Sequence, residues 1–122
     1  MREVKIGSQN FTKVLVRDEP GQGGACHLYE IAEAMRGRKD VLLECYAKIK
    51  FQDGPVKEFG VNGCHQEDLL AIVLDRLQHF QKGDYACREN ALAIIKIEEA
   101  MHWLNHRTAG RVERGVEGTN EK

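Results

Sequence analysis

Two apolar seams within residues 66–114 constrain the fold more than anything else in the chain. Leu70, Val73, Leu77 and Phe80 recur at steps of three and four, and Ile94, Ile97, Met101 and Leu104 do the same. Each set makes one narrow stripe along a helix. The polar turn Lys82-Gly83-Asp84 between them leaves the stripes one short route to burial, which is against each other. The spacing therefore predicts an antiparallel helical hairpin. Glu67 and Asp68 suit the N-terminus of the first helix through its dipole. The second helix is expected to begin at Asp84 or Tyr85 and to run to Arg107 or beyond.

The N-terminal half carries a different period. Phe11 to Arg17 is β-branched and partly alternating, which predicts a strand. Asp18-Glu19-Pro20-Gly21 is a turn, and Gln22-Gly23-Gly24-Ala25 is either a flexible hairpin turn or a loop where backbone approaches a ligand. From His27 to Met35 the residues fit both a helical face and strand alternation, with propensity favouring helix. From Val41 to Phe51 alternation is clear: Val41, Leu43, Cys45, Ala47, Ile49 and Phe51 face one way, and Glu44, Tyr46, Lys48 and Lys50 the other. Val56 to Val61 reads as a short extra strand and Asn62-Gly63 as a turn. Strands first and helices second predict an α+β fold, an antiparallel sheet followed by the hairpin. The expected division of one 122-residue domain is a β-rich half over 1–61, the hairpin over 62–114 and a frayed tail over 115–122.

Composition narrows the function classes. With Lys+Arg 18 against Asp+Glu 19, no global field draws the chain to DNA or another polyanion, so any anion site is local. No apolar run approaches the roughly 18 residues that span a bilayer, and residues 1–5 lack a signal-peptide core. The expected location is the cytosol, with no membrane partner. Cys26, Cys45, Cys64 and Cys87 are widely spaced and show no C-x-x-C, which favours reduced thiols. A zinc site would draw on Cys26-His27, Cys64-His65 and the i,i+4 pair His102 and His106. That pair lacks the Glu of zinc peptidases, so no metal or other cofactor is expected. No nucleophile motif, phosphate loop or paired-carboxylate arrangement points to an enzyme.

The residues that break the seams are informative. Phe80 lies one turn before the hairpin bend and Asn90 just after it, so antiparallel geometry brings them near each other at the tip. A ring beside an amide suits a purine, which stacks on one and is read by the other. The same pair also suits a core cap and a helix cap. Beyond Leu104, Arg107, Arg111 and Arg114 sit at i, i+4, i+7. If helix continues they form one cationic stripe able to grip phosphate, or simply good charge placement at a helix C-terminus. Gly115 to Thr119 then offers backbone N–H groups and a hydroxyl.

Several runs together resemble a known family: F-G-V-N-G from Phe59, E-D-L-L-A-I-V from Glu67, R-L-Q-H-F-Q-K-G from Arg76, A-C-R-E-N-A-L-A from Ala86, and W-L-N-H-R-T-A-G-R-V-E-R-G-V-E-G-T from Trp103. The family is that of the helical-hairpin phage anti-defence proteins. P-G-Q-G-G-A-C-H-L-Y-E-I from Pro20 is similar to its Thoeris anti-defence branch, which adds a β-rich N-terminal half. The resemblance implies a non-enzymatic sponge in the host bacterial cytoplasm. It would hold glyco-cyclic ADP-ribose, made by TIR-domain proteins, without cleaving it. It also implies self-association to dimers or hexamers, and a second site for cyclic oligonucleotides. By the same resemblance Phe80 and Asn90 contact base or ribose, Arg107 faces a phosphate or base, and Gly23, Gly24, Ala25 and His27 wall the pocket from a neighbouring subunit. Arg111, Arg114, Gly115, Gly118 and Thr119 become the second site or an assembly contact, and His27 to Met35 becomes a strand. A metal-dependent nucleotide hydrolase and a protein-binding inhibitor of a host enzyme are the alternatives.

Overall fold

The computed structural model describes residues 2–6, 11–34 and 43–119. These fall into two compact units, Met1–Gly54 with Phe59–Cys64, and Pro55–Glu58 with His65–Lys122.

The first unit is an antiparallel meander in the order β1-β2-β3-β4. Its strands are β1 (Arg2–Val4), β2 (Thr12–Val16), β3 (Leu28–Glu33) and β4 (Cys45–Lys50). β3 is the strand that the family resemblance implied and helix propensity did not, because both its edges are paired: Val14 faces Ile31 on one side and Ala47 faces Ile31 on the other. Ladder bonds on two sides outweigh a local preference of a few tenths of a kcal/mol per residue. β4 keeps the expected alternation, with Tyr46, Lys48 and Lys50 exposed and Ala47 and Ile49 half-buried. Cys45, expected on the inner face, is exposed, and the register slips beside it between Ile31 and Ala32. Val41, Met35 and the ends of those two predicted runs lie outside the described residues. Among the described residues Val16, Cys26 and Ala32 are the buried hydrophobic side chains, and Tyr29 meets Phe51 edge-on at 5.6 Å.

After β4 the Gln52 amide donates to the carbonyls of Gly54 and Gly60 and accepts from Asn62 N–H. The Asn62 amide clasps the Asp53 backbone in return, at 2.8 and 2.7 Å. Two side-chain amides thus close the 52–62 loop where a strand was expected. Val56 to Val61 is not a strand: Val56–Phe59 forms a single helical turn, α1, entered from the buried Pro55, whose ring fixes a helix-compatible φ.

The second unit holds the hairpin, α2 (Gln66–Gln81) and α3 (Arg88–Glu113). The α3 seam is as expected: Ile94, Ile97, Met101 and Leu104 are half-buried. On α2 the covered face is centred on Leu70, Leu74 and Leu77, so Val73 stands 45% exposed beside it. The second helix starts later than the sequence suggests. Lys82 to Ala86 forms successive turns, and the extended Cys87 is the N-cap, its sulfur accepting from Asn90 N–H. Gln81 bonds Cys87 N–H from across the bend and so fixes where helix can begin.

Candidate functional site

At the bend, Tyr85 joins the two residues that the seams singled out. Its ring stands edge-on to Phe80, with centroids 6.4 Å apart, and its carbonyl accepts from the Asn90 amide at 3.3 Å. Arg76, one turn before Phe80 on α2, places its guanidinium carbon 5.1 Å from the Phe80 ring centre. The tip therefore carries a cation, two aromatic rings and an amide in one cluster. Phe80 remains 37% and Tyr85 78% exposed, so both rings retain free surface for stacking. Sequence reasoning overlooked Arg76 and Tyr85. The i−4 spacing from Arg76 to Phe80 was visible; the Tyr85 contact depends on the late start of α3 and was not.

Arg107 is brought nowhere near this cluster. Seventeen residues of unbroken α3 separate it from Asn90, roughly 26 Å along the axis at 1.5 Å per residue. Arg107 is exposed, as is Arg114. Arg111, expected beside them in one stripe, is instead buried at 6%. Helix does continue past it, but at Gly115 (φ +74°) the chain turns back, and residues 116–119 cover its guanidinium. Nε meets the Glu117 carboxylate at 3.1 Å, and Nη2 donates to the carbonyls of Val116 (2.9 Å) and Thr119 (3.1 Å). The tail is thus closed, where an open run of donors was expected. Gly115, Val116 and Thr119 N–H groups bond within the segment or to α3, and the Thr119 hydroxyl binds the Val116 carbonyl. Gly118 O also accepts from Lys57 N–H of α1 at 3.0 Å. Residues 120–122 lie outside the described residues.

The glycine loop belongs to the sheet unit. Gln22–Gly24 makes one tight turn in which Gly23 and Gly24 have φ of +81° and +85°. A side chain at either would meet no atom within 4 Å, so backbone conformation is what requires glycine there. Asp18 closes the loop, its carboxylate accepting from the N–H groups of His27 (2.9 Å) and Leu28 (3.2 Å). Desolvation pushes the Asp18 carboxyl up, but these bonds and the His27 ring outweigh it and hold it below the ordinary 3.8. The His27 ring lies between two carboxylates, Nδ1 4.0 Å from Asp18 and Nε2 3.8 Å from Asp53.

His102 and His106 share a helix face, their rings 6.3 Å apart and both edge-on to Trp103. Among the described residues no three of His, Cys, Asp and Glu converge on a point where a metal would sit.

A helical hairpin with an aromatic–amide tip, following an antiparallel meander, defines the class. The profile of the Acb2/Tad1 hairpin domain matches residues 44–109, more than half of the chain. The chain belongs to the Acb2/Tad1 hairpin family. A protein called Thoeris anti-defense 1, from Bacillus phage SBSphiJ7, is 60% identical over 76 residues, 62% of this chain and 54% of that protein. The chain thus spans about half the length of this relative. The matched region holds Phe80, Asn90 and Arg107; the Gly23–His27 loop and the Arg111–Thr119 segment fall outside it.

Proposed function

We propose that this chain defeats Thoeris defence by sequestering the cyclic ADP-ribose-type signal, glyco-cyclic ADP-ribose, without cleaving it, inside the infected host. The observation that carries this reading is the Phe80–Tyr85–Asn90 cluster with Arg76 at the hairpin tip. An exposed ring takes the adenine face, the amide reads an edge or a ribose hydroxyl, and the guanidinium answers a phosphate. The relative named Thoeris anti-defense 1 supports the assignment to this system.

Sequestration needs affinity rather than chemistry. A micromolar signal is cleared only by a binder well below that Kd, about −10 kcal/mol or better. Stacking contributes roughly 1–3 kcal/mol per base, so an open tip falls short by itself. Enclosure by a second copy supplies the rest, and the hairpin favours one. Ile72 on α2 and Leu92, Ile95 and Trp103 on α3 are 41–60% exposed, outside the shared seam. In such an assembly the Gly23–Ala25 loop and His27 of a neighbouring subunit would close the pocket. The separation between tip and Arg107 favours a second, distinct site for cyclic oligonucleotides, with Arg107 at its edge. Arg114 and the Gly115–Thr119 turn would frame it, Arg111 holding that turn in place.

Incubation with the cyclic signal followed by heat release and mass spectrometry tests the main claim. Intact nucleotide is expected at one equivalent per site; a cleaved product would refute sequestration. Asn90→Trp, which fills the tip, is expected to abolish recovery.

A further inference from the structure

The hairpin tip depends on a helix start that local preference does not choose. Asp84 belongs to the residue types that cap helices well, whereas cysteine does not and its sulfur is a weak acceptor. Yet α3 begins at Arg88, with Cys87 as the cap and Asn90 N–H 3.4 Å from its sulfur. A start at Asp84 would wind residues 85–87 into helix. The Asp84 carboxylate would then take Cys87 N–H, and Glu89 N–H would take the Tyr85 carbonyl.

Two side-chain amides already hold those groups. Gln81, the last residue of α2, accepts from Cys87 N–H at 2.9 Å through its Oε1. The Asn90 amide donates to the Tyr85 carbonyl at 3.3 Å. Gln81 stands outside the cluster of Arg76, Phe80, Tyr85 and Asn90, so altering it removes no contact proposed for the nucleotide.

We propose that Gln81 is a positioning residue for the tip, taking the tip to be the nucleotide site proposed above. By accepting from Cys87 N–H it keeps α3 to the later start. Tyr85 then stays outside the helix, its ring edge-on to Phe80 and its carbonyl on the Asn90 amide. Without that acceptor Asp84 competes as the cap, the first turn of α3 extends backwards, and the Tyr85–Asn90 bond is given up. One hydrogen bond shifts such an equilibrium roughly 3- to 10-fold, and a site populated less often binds more weakly by that share.

The test compares Gln81→Leu, which removes the acceptor, with Gln81→Glu, which keeps one, both in the full chain. Secondary ¹³Cα shifts read the helix start, and calorimetry with glyco-cyclic ADP-ribose reads the tip. Gln81→Leu is expected to move residues 85–87 towards helical shifts and to weaken binding roughly 3- to 10-fold. Gln81→Glu is expected to keep both as in the parent. Asp84→Ala added to Gln81→Leu removes the competing cap and is expected to recover much of the loss, which a general loosening of the bend would not allow. Unchanged shifts along the sheet and the seams report intact folding. Shifts at 85–87 that stay put in Gln81→Leu, or a binding loss that the double variant does not recover, overturn the proposal. A parent chain that fails to bind glyco-cyclic ADP-ribose overturns the proposed function instead, and the ¹³Cα shifts then decide whether Gln81 sets the helix start.

Discussion

Phe80 presents its ring to Arg76 and Tyr85 while keeping more than a third of its surface in solvent. Under the proposed function its removal is expected to affect binding more than folding. Phe80→Ala is expected to weaken nucleotide binding roughly 5- to 150-fold, the loss of about 1–3 kcal/mol of stacking, with a denaturation midpoint nearly unchanged; calorimetric titration and urea melts check the two halves. Arg111 is the converse case. Arg111→Met strands the Glu117 carboxylate and two carbonyls, and is expected to cost about 2 kcal/mol or more. Arg107→Met, on the exposed side of the same helix, is expected within about 0.5 kcal/mol of the parent. Asp18 makes a pH statement. Its native carboxyl titrates below 3.8, so the fold favours the charged form; the contribution is complete above 3.8 and disappears as pH falls through the lower native value. Amide signals of His27 and Leu28 should show a step in that acid range, and Asp18→Asn should lack it.

At the level of elements, glycines separate conformational need from mere space. Gly115 and Gly118 have φ of +74° and +81°, and a Cβ at Gly118 would lie 3.2 Å from the Lys57 side chain. Alanine at either should destabilise by roughly 1–2 kcal/mol. Gly110 lies inside α3 with open space where a methyl group would project, so Gly110→Ala should stabilise by roughly 0.5–1 kcal/mol. Thermal melts rank the three. The same elements show what a sequence can and cannot disclose. The α3 seam and, through Leu70 and Leu77, part of the α2 seam were legible because 3.6-residue periodicity is a local property; Val73 was misplaced because the covered face of α2 turns to Leu74. The start of α3 was not, since it rests on a cysteine cap and on Gln81 reaching across the bend. β1, three residues long, exists through pairing with β2 alone. The burial of Arg111 was hidden because it needs the chain to reverse at Gly115, and no stripe drawn on a helix contains that reversal. Of the candidate site, Phe80 and Asn90 could be read from seam positions, whereas Tyr85 between them could not.

For the whole molecule, the described hydrophobic side chains that are fully buried are few, and all lie in the sheet unit. A hairpin with half-buried seams and an exposed apolar flank suits the second copy proposed to enclose the tip. Ile72→Glu with Trp103→Glu is expected to lower the mass measured by light scattering and to weaken nucleotide binding with it; an unchanged mass would assign that flank to another partner. Asn90→Trp should leave the mass as it is.

The unbroken run of α3 from Asn90 to Glu113 has an evolutionary consequence. A stiff rod of that length keeps its two ends from sharing neighbours, and substitutions that far apart add rather than interfere. Under the proposed function, variation at the tip would then follow a changing signal without disturbing the arginine end, and neither change would have to wait for the other.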